Sequence, residues 1–214
     1  MTSLVVNEIF YSIQGESSYA GKPCVFVRLT YCNLRCSYCD TAYAFHEGVA
    51  MELDEILQRV KAYACPLVEI TGGEPLFQPG VHRLMKLLCD HGYETLLETG
   101  GSLDIGGVDS RVKRIVDFKC PGSGMMKSNL WSNAERLTRN DEVKFVIGSR
   151  EDFDWSVEMI RLHEIDRRCP VVMSVVFGVL LPRLLAEWIL EAGLGVRMQL
   201  QMHKFIWEPE TRGV

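Results

Sequence analysis

The sequence has no apolar run approaching the ~20 residues that cross a bilayer, no block of basic residues, no internal repeat, and no linker or low-complexity tract. The first absence excludes a helical membrane span. The opening Met1 to Leu4 also lacks the basic segment and long apolar stretch of a secretory signal, so a cytoplasmic protein with no membrane partner is expected. With a net charge of −5 and no basic cluster, nothing points to an extended phosphate backbone, and no nucleic-acid partner is expected. The lack of a linker leaves one domain over residues 1–214, a size at which folding buries roughly 70% of the unfolded chain's surface and can enclose a site. A second CxxC pair and any HxxxH are missing too. Of the eight cysteines, Cys24, Cys65, Cys89, Cys120 and Cys169 are scattered singly through apolar or helical segments, which in a reducing compartment reads as core packing, not a disulfide framework.

What is present is an alternation of strand and helix patterns. Strands are expected at 4–13, 25–29, 66–71, 93–98, 112–118, 143–147, 171–177 and 195–202. Between them, Leu53, Ile56, Leu57, Val60 and Ala64 fall at helical spacing, as do residues around Leu84, the stretch 153–164 and the set Leu181, Leu184, Leu185 and Trp188, with a short helix near Ala134. Such alternation predicts an α/β fold with mostly parallel strands. About six βα units are too few for a full eight-stranded barrel of ~250 residues, so the expected architecture is a partial, abridged (β/α)6-type open barrel. In such sheets ligands gather at the carboxyl ends of the strands. One strand carries an anomaly: Arg28 interrupts an otherwise buried run, and a buried guanidinium needs an anion or several acceptors.

Three thiols, Cys32, Cys36 and Cys39, lie within eight residues just after the 25–29 strand. A structural zinc site normally takes four ligands in two separated pairs, and the second pair is missing. Three thiolates can instead hold three irons of a [4Fe-4S] cube and leave the fourth iron open. The 3-then-2 spacing, with the aromatic Tyr38 before the last cysteine, resembles the radical S-adenosylmethionine (SAM) superfamily. That resemblance implies that SAM chelates the open iron and is cleaved to a 5'-deoxyadenosyl radical that abstracts hydrogen from a substrate. Gly72-Gly73-Glu74-Pro75, about thirty residues on, taken alone is ordinary capping chemistry. Beside the thiols it resembles the superfamily's glycine-rich element, whose main chain receives the SAM amino group.

Gln14-Gly15-Glu16, Arg28, Asp40-Thr41, Glu98-Thr99-Gly100, Asp117 to Pro121 and Gln201 to Lys204 together resemble the 7-carboxy-7-deazaguanine synthase family over nearly the whole length. The resemblance implies conversion of 6-carboxy-5,6,7,8-tetrahydropterin to 7-carboxy-7-deazaguanine with loss of ammonia, using Mg2+, an electron donor such as flavodoxin or ferredoxin, and a homodimer. It assigns Cys32, Cys36 and Cys39 to the cluster and Thr41 to Mg2+. Tyr38, Cys39, Asp40, Gly73, Glu74, Ser123 and Ser174 are assigned to SAM, and Ile13, Gln14, Gly15, Glu16, Arg28, Thr71, Glu98 and His203 to the pterin. The residue types suit that substrate: glutamate accepts from an amino-pyrimidine edge, an amide pairs both ways and arginine grips a carboxylate. Gly100 departs from the family's usual asparagine, and the tail 207–214 is extended. The rival within the superfamily is an activase acting on a glycyl radical enzyme, which would leave Gln14, Glu16 and Arg28 no pterin to hold.

Overall fold

The computed structural model describes residues 3–214. The amino-terminal half runs β1 (Ser3–Ile13), β2 (Pro23–Leu29), β3 (Val49–Glu52), α1 (Leu53–Lys61), β4 (Leu67–Gly72), α2 (Val81–Asp90), β5 (Glu94–Thr99) and β6 (Lys113–Asp117). It continues with α3 (Ser132–Glu135), β7 (Glu142–Ile147), α4 (Arg150–Leu162), α5 (Ile165–Arg168), β8 (Val171–Val175), α6 (Pro182–Ala192), β9 (Arg197–Gln199) and α7 (His203–Ile206). One nine-stranded sheet has the order β3-β1-β2-β4-β5-β6-β7-β8-β9. From β2 to β9 every pairing is parallel, whereas β1 runs antiparallel to both β2 and β3. The mixed, mostly parallel sheet is the expected class, with β3 an edge strand that its short sequence does not announce.

Two faces with opposite chemistry explain the sequence pattern. Val25, Val27, Leu29, Val68, Ile70, Leu97, Phe145, Met173 and Val175 are buried in the apolar core. Against it pack Ile56, Leu57 and Val60 of α1, Leu84 and Leu88 of α2, Phe153 and Ile160 of α4, and Leu185 and Ile189 of α6. Each such side chain contributes about 1.5–3 kcal/mol on leaving water. The other face carries Glu8, Arg28, Glu69, Thr71, Glu98, Asp117, Lys144 and Ser174, at alternate positions of their strands. Helix ends are specified locally: Ser149 Oγ accepts from the Asp152 N–H to cap α4, Pro182 opens α6, and Gly193 closes it in the left-handed conformation.

The sheet is strongly curved. β1 and β9 stand seven places apart in its order, about 34 Å if the strands lay flat. Yet the segment leaving β1 touches the end of β9: Ser17 N–H donates to Gln199 Oε1 at 2.9 Å, and Met202 N–H to Gly15 O at 3.0 Å. These bonds correct two expectations. The last strand pairs only over Arg197–Gln199, not 195–202, because beyond Gln199 the chain bonds to residues 15–16 instead of to β8. His203, expected to follow directly on that strand, opens α7. Leu181 precedes α6 as an exposed cap and is not part of its buried face.

Candidate active site

The loop that follows β2 holds the three thiols. Leu34, 3% exposed, anchors it, and its N–H donates to Cys32 Sγ at 3.3 Å. Ser37 fastens the far side, its N–H to Ser123 O at 3.0 Å and its hydroxyl to Gly122 O at 2.7 Å. Cys32, Cys36 and Cys39 are half-buried free thiols. Burial pushes the Cys36 thiol up to about 11 and raises Cys32 as well, while nearby Lys119 opposes both shifts. Among the described residues no three His, Cys, Asp or Glu side chains converge on a single ion. Three unpaired thiols spread along one loop suit a multi-iron group, with Lys119 as a neighbouring cation for its negative charge.

Beside this loop lies the turn after β4. A Cβ on Gly73 would stand 2.2 Å from Tyr31 O, so only glycine lets the turn lie against the cysteine loop. Its N–H donates to Leu29 O and that of Glu74 to Tyr31 O at 2.8 Å, which leaves carbonyls as the groups to offer an ammonium. The Glu74 side chain has another task. Fully buried, it accepts from Thr99 Oγ1, from Gly100 N–H at 2.8 Å and from Leu76 N–H at 3.0 Å, locking the turn to the end of β5. Burial raises its carboxyl despite these donors.

Two residues expected at SAM present unpartnered groups: the Tyr38 hydroxyl and the Ser174 hydroxyl are buried without a protein hydrogen bond. Buried polar atoms are normally satisfied, so both suit a bound ligand. Ser123 differs, because its hydroxyl donates to Cys120 O at 2.6 Å and accepts from Met125 N–H, which is turn chemistry. Asp40 pairs with Lys204 at 2.7 Å, and Thr41 Oγ1 lies 3.8 Å from Cys39 Sγ.

The expected pterin residues come together on the polar face. Gly15 is a close approach: a Cβ there would fall 2.3 Å from His203 Nδ1, so glycine admits the imidazole. Gln14 donates to Glu69 and accepts from Glu16 N–H at 2.9 Å, so both ends of its amide are engaged. Glu16 accepts from Lys144 at 2.8 Å and Gln201 at 3.0 Å. Burial alone would raise the Glu16 carboxyl, but Lys144, with His203 and Gln201, brings it to about 2. His203 is lowered by burial against the pull of Glu16 and Asp40. Arg28 Nε donates to Glu8 at 2.7 Å, and Tyr43 donates to the same carboxylate, which leaves the guanidinium's outer nitrogens for another anion. Thr71 Oγ1 sits 3.4 Å from Glu98. Ile13 alternates with Ser12 and Gln14 and turns its side chain to the opposite face, so only its main chain can serve this site.

Sequence reasoning missed Glu8, Ser12, Glu69 and Lys144, and gave no site role to Asp117 and Lys119 although their stretch carried part of the resemblance. Lys144 is the hub, bonded to Glu16 and Glu98 and 3.4 Å from Asp117, which also holds Lys119 at 3.0 Å. Burial would lower the Lys144 ammonium, but the three carboxylates carry it well above the usual lysine range. Burial, with Glu98 and Glu16 nearby, raises the Glu69 carboxyl well above the ordinary carboxylate range, against the pull of Lys144 and Arg28. For Glu69 and Lys144 the signal was the one that marked Arg28: a charge inside an otherwise apolar strand.

The model of the radical SAM superfamily matches residues 27–192. A 7-carboxy-7-deazaguanine synthase of Chlorobaculum tepidum is 52% identical over 215 residues, spanning 99% of this chain and 97% of the relative. That of Koribacter versatilis is 45% identical, spanning 98% and 99%. Among solved structures, QueE from Escherichia coli shares the fold with a TM-score of 0.79 at 23% identity, covering 94% of this chain and 95% of that one. A radical SAM match over most of the chain and near full-length identity to these enzymes place the chain in the radical SAM superfamily and, within it, in the family of the 7-carboxy-7-deazaguanine synthases.

Proposed function

We propose that this chain converts 6-carboxy-5,6,7,8-tetrahydropterin to 7-carboxy-7-deazaguanine with loss of ammonia, the pterin lying on the polar face of the sheet beneath the three-thiol loop. The observation that carries this reading is the juxtaposition itself. The loop of Cys32, Cys36 and Cys39 packs through Leu34 and Tyr31 onto the ends of β4 and β5. The same curved sheet gathers Glu16, Arg28, Glu98, Lys144 and His203 on its polar side. A [4Fe-4S] cluster and SAM, when bound, supply the one-electron chemistry that takes a hydrogen atom from C6 of the substrate.

The protein's part is binding, orientation and exclusion of water. Cys32, Cys36 and Cys39 hold the cluster. Tyr38, Ser174, the main chain of Cys39 and Asp40, and the Gly73-Glu74 turn hold SAM, with Ser123 bracing the cysteine loop from behind. Arg28, already fixed by Glu8 and Tyr43, offers its outer nitrogens to the substrate carboxylate. Glu16 and Glu98 accept from the amino-pyrimidine edge, and His203 borders it. Gln14 acts by fixing the Glu69 carboxyl and the Glu16 main chain, Thr71 by orienting Glu98, and Ile13 and Gly15 through their main chain. Thr41 is the proposed Mg2+ ligand, an oxygen donor beside Cys39 at the rim of the site.

We place the enzyme in the cytoplasm, as a homodimer reduced by a flavodoxin- or ferredoxin-type donor. Among the described residues no helix is long and apolar enough to cross a membrane. Exposed Phe177, Val179, Phe205 and Ile206 offer an apolar surface to a second copy. The activase reading has no observation in its favour, since the buried charges suit a small polar substrate. The test is anaerobic incubation of cluster-loaded protein with SAM, dithionite and the carboxypterin. Appearance of the deazaguanine by absorbance and mass is expected, and its absence from fully loaded enzyme refutes the proposal.

A further inference from the structure

Lys144 sits in the middle of β7, its side chain 6% exposed, and binds carboxylates from three separate elements: Glu16 before the short turn that precedes β2, Glu98 at the end of β5 and Asp117 at the end of β6. A buried ion pair seldom stabilises a fold beyond what apolar residues of like volume achieve, so such a hub calls for a reason other than stability. Two of its three partners face the pterin. Asp117 keeps Oδ1 buried and without a hydrogen bond, and the Ser12 hydroxyl on β1 is likewise unpartnered, so this face is built for a polar guest.

We propose that Lys144 is a positioning residue for the pterin: its ammonium, bonded to both, holds the Glu16 and Glu98 carboxylates aimed as hydrogen-bond acceptors for the N–H donors of the amino-pyrimidine edge. An ionised carboxylate only accepts, whereas a protonated one presents an O–H to those donors. Around the pair stand Arg28 from β2, Glu69 from β4, Asp117 and Lys119 at and beyond the end of β6, and Asp40 and His203 at the rim, with Glu142 and Lys113 below. Without Lys144, Glu16 would keep only His203 and Gln201 as favourable partners, and Glu98 would face Glu16 and Glu69. Like-charged carboxylates left buried together titrate toward neutral pH.

This inference rests on the proposed pterin chemistry, and its test separates the two. KM for the carboxypterin is measured from pH 6.5 to 9 with cluster-loaded wild type, Lys144→Met and Lys144→Arg, with iron content and circular dichroism confirming each protein. The wild-type KM is expected to stay flat within about threefold. In Lys144→Met it should rise about 10- to 100-fold at pH 6.5, the scale of one buried hydrogen-bonding group turned the wrong way, and return toward wild type at pH 9. Lys144→Arg should restore the flat profile. A merely structural lysine would instead raise KM or lower protein yield by the same factor at every pH. If Lys144→Met does not accumulate, the wild-type profile and Lys144→Arg decide. A wild-type KM that climbs steeply as pH falls, a pH-independent effect in Lys144→Met, or an arginine variant with a climbing profile overturns the role of Lys144 alone. Wild type that makes no product at any pH overturns the pterin reading and this role together.

Discussion

Glu74 is where the turn proposed to receive SAM and the fold depend on the same atoms. Its carboxylate is fully buried and satisfies three donors at once: the Thr99 hydroxyl at 2.8 and 2.9 Å, Gly100 N–H at 2.8 Å and Leu76 N–H at 3.0 Å. Glu74→Ala leaves two main-chain N–H groups and a hydroxyl facing a void. Each unsatisfied buried donor costs about 1–3 kcal/mol. Because the hydroxyl can rotate and the turn can relax, about 3 kcal/mol in total is expected, which for a chain of this size lowers the melting temperature by about 6–12 °C. Glu74→Gln should be nearly as harmful despite its shape, since one carboxylate oxygen becomes an NH2 that opposes a main-chain donor. The assay is thermal unfolding of cluster-loaded protein, wild type against both variants, with KM for SAM measured below the transition. A raised KM should accompany the lower melting temperature, because the glycine turn loses its tie to β5. If Glu74→Gln melts within 2 °C of wild type, the carboxylate is not holding these donors and the reasoning fails.

Gly15→Ala should raise the pterin KM at least tenfold with little loss of stability, because the new Cβ would meet His203 Nδ1 at 2.3 Å and push α7 outward; steady-state kinetics and a melting curve check it. Cys36→Ser should lose iron and labile sulfide in step and make no product, since three thiols are all this loop offers a cluster; metal and sulfide analysis is the measurement. Glu16 has a folded pKa of about 2 against an ordinary value of 4.5, so the stability it lends is present above pH 4.5 and is lost as pH falls toward 2. Denaturant unfolding at pH 7 and at pH 2.5 should therefore show Glu16→Gln weaker than wild type by a few kcal/mol at the first pH and by much less at the second.

Local chemistry alone was enough for much of this protein. The thiol spacing, the glycine-glycine-glutamate-proline turn, and strands and helices at periods of two and 3.6 are short-range signals, and they marked the class of sheet and the residues at its carboxyl ends. Even Arg28 betrayed the polar face, because a charge inside a buried strand has to be answered. Which groups answer it was decided only in three dimensions. β1 turns antiparallel, the sheet curls until Gly15 meets His203, and Glu16 arrives from 128 residues away to bind Lys144. The chain beyond Gln199, which reads as a continuing strand, bonds to residues 15–16 and turns into a helix. Glu69 and Lys144 each looked like an isolated charge in sequence, and Asp117 like one member of a local motif. Their meaning lies in sharing one curved face, where the low dielectric makes each charge's state depend on its neighbours, and that dependence is a property of distances the chain acquires only on folding.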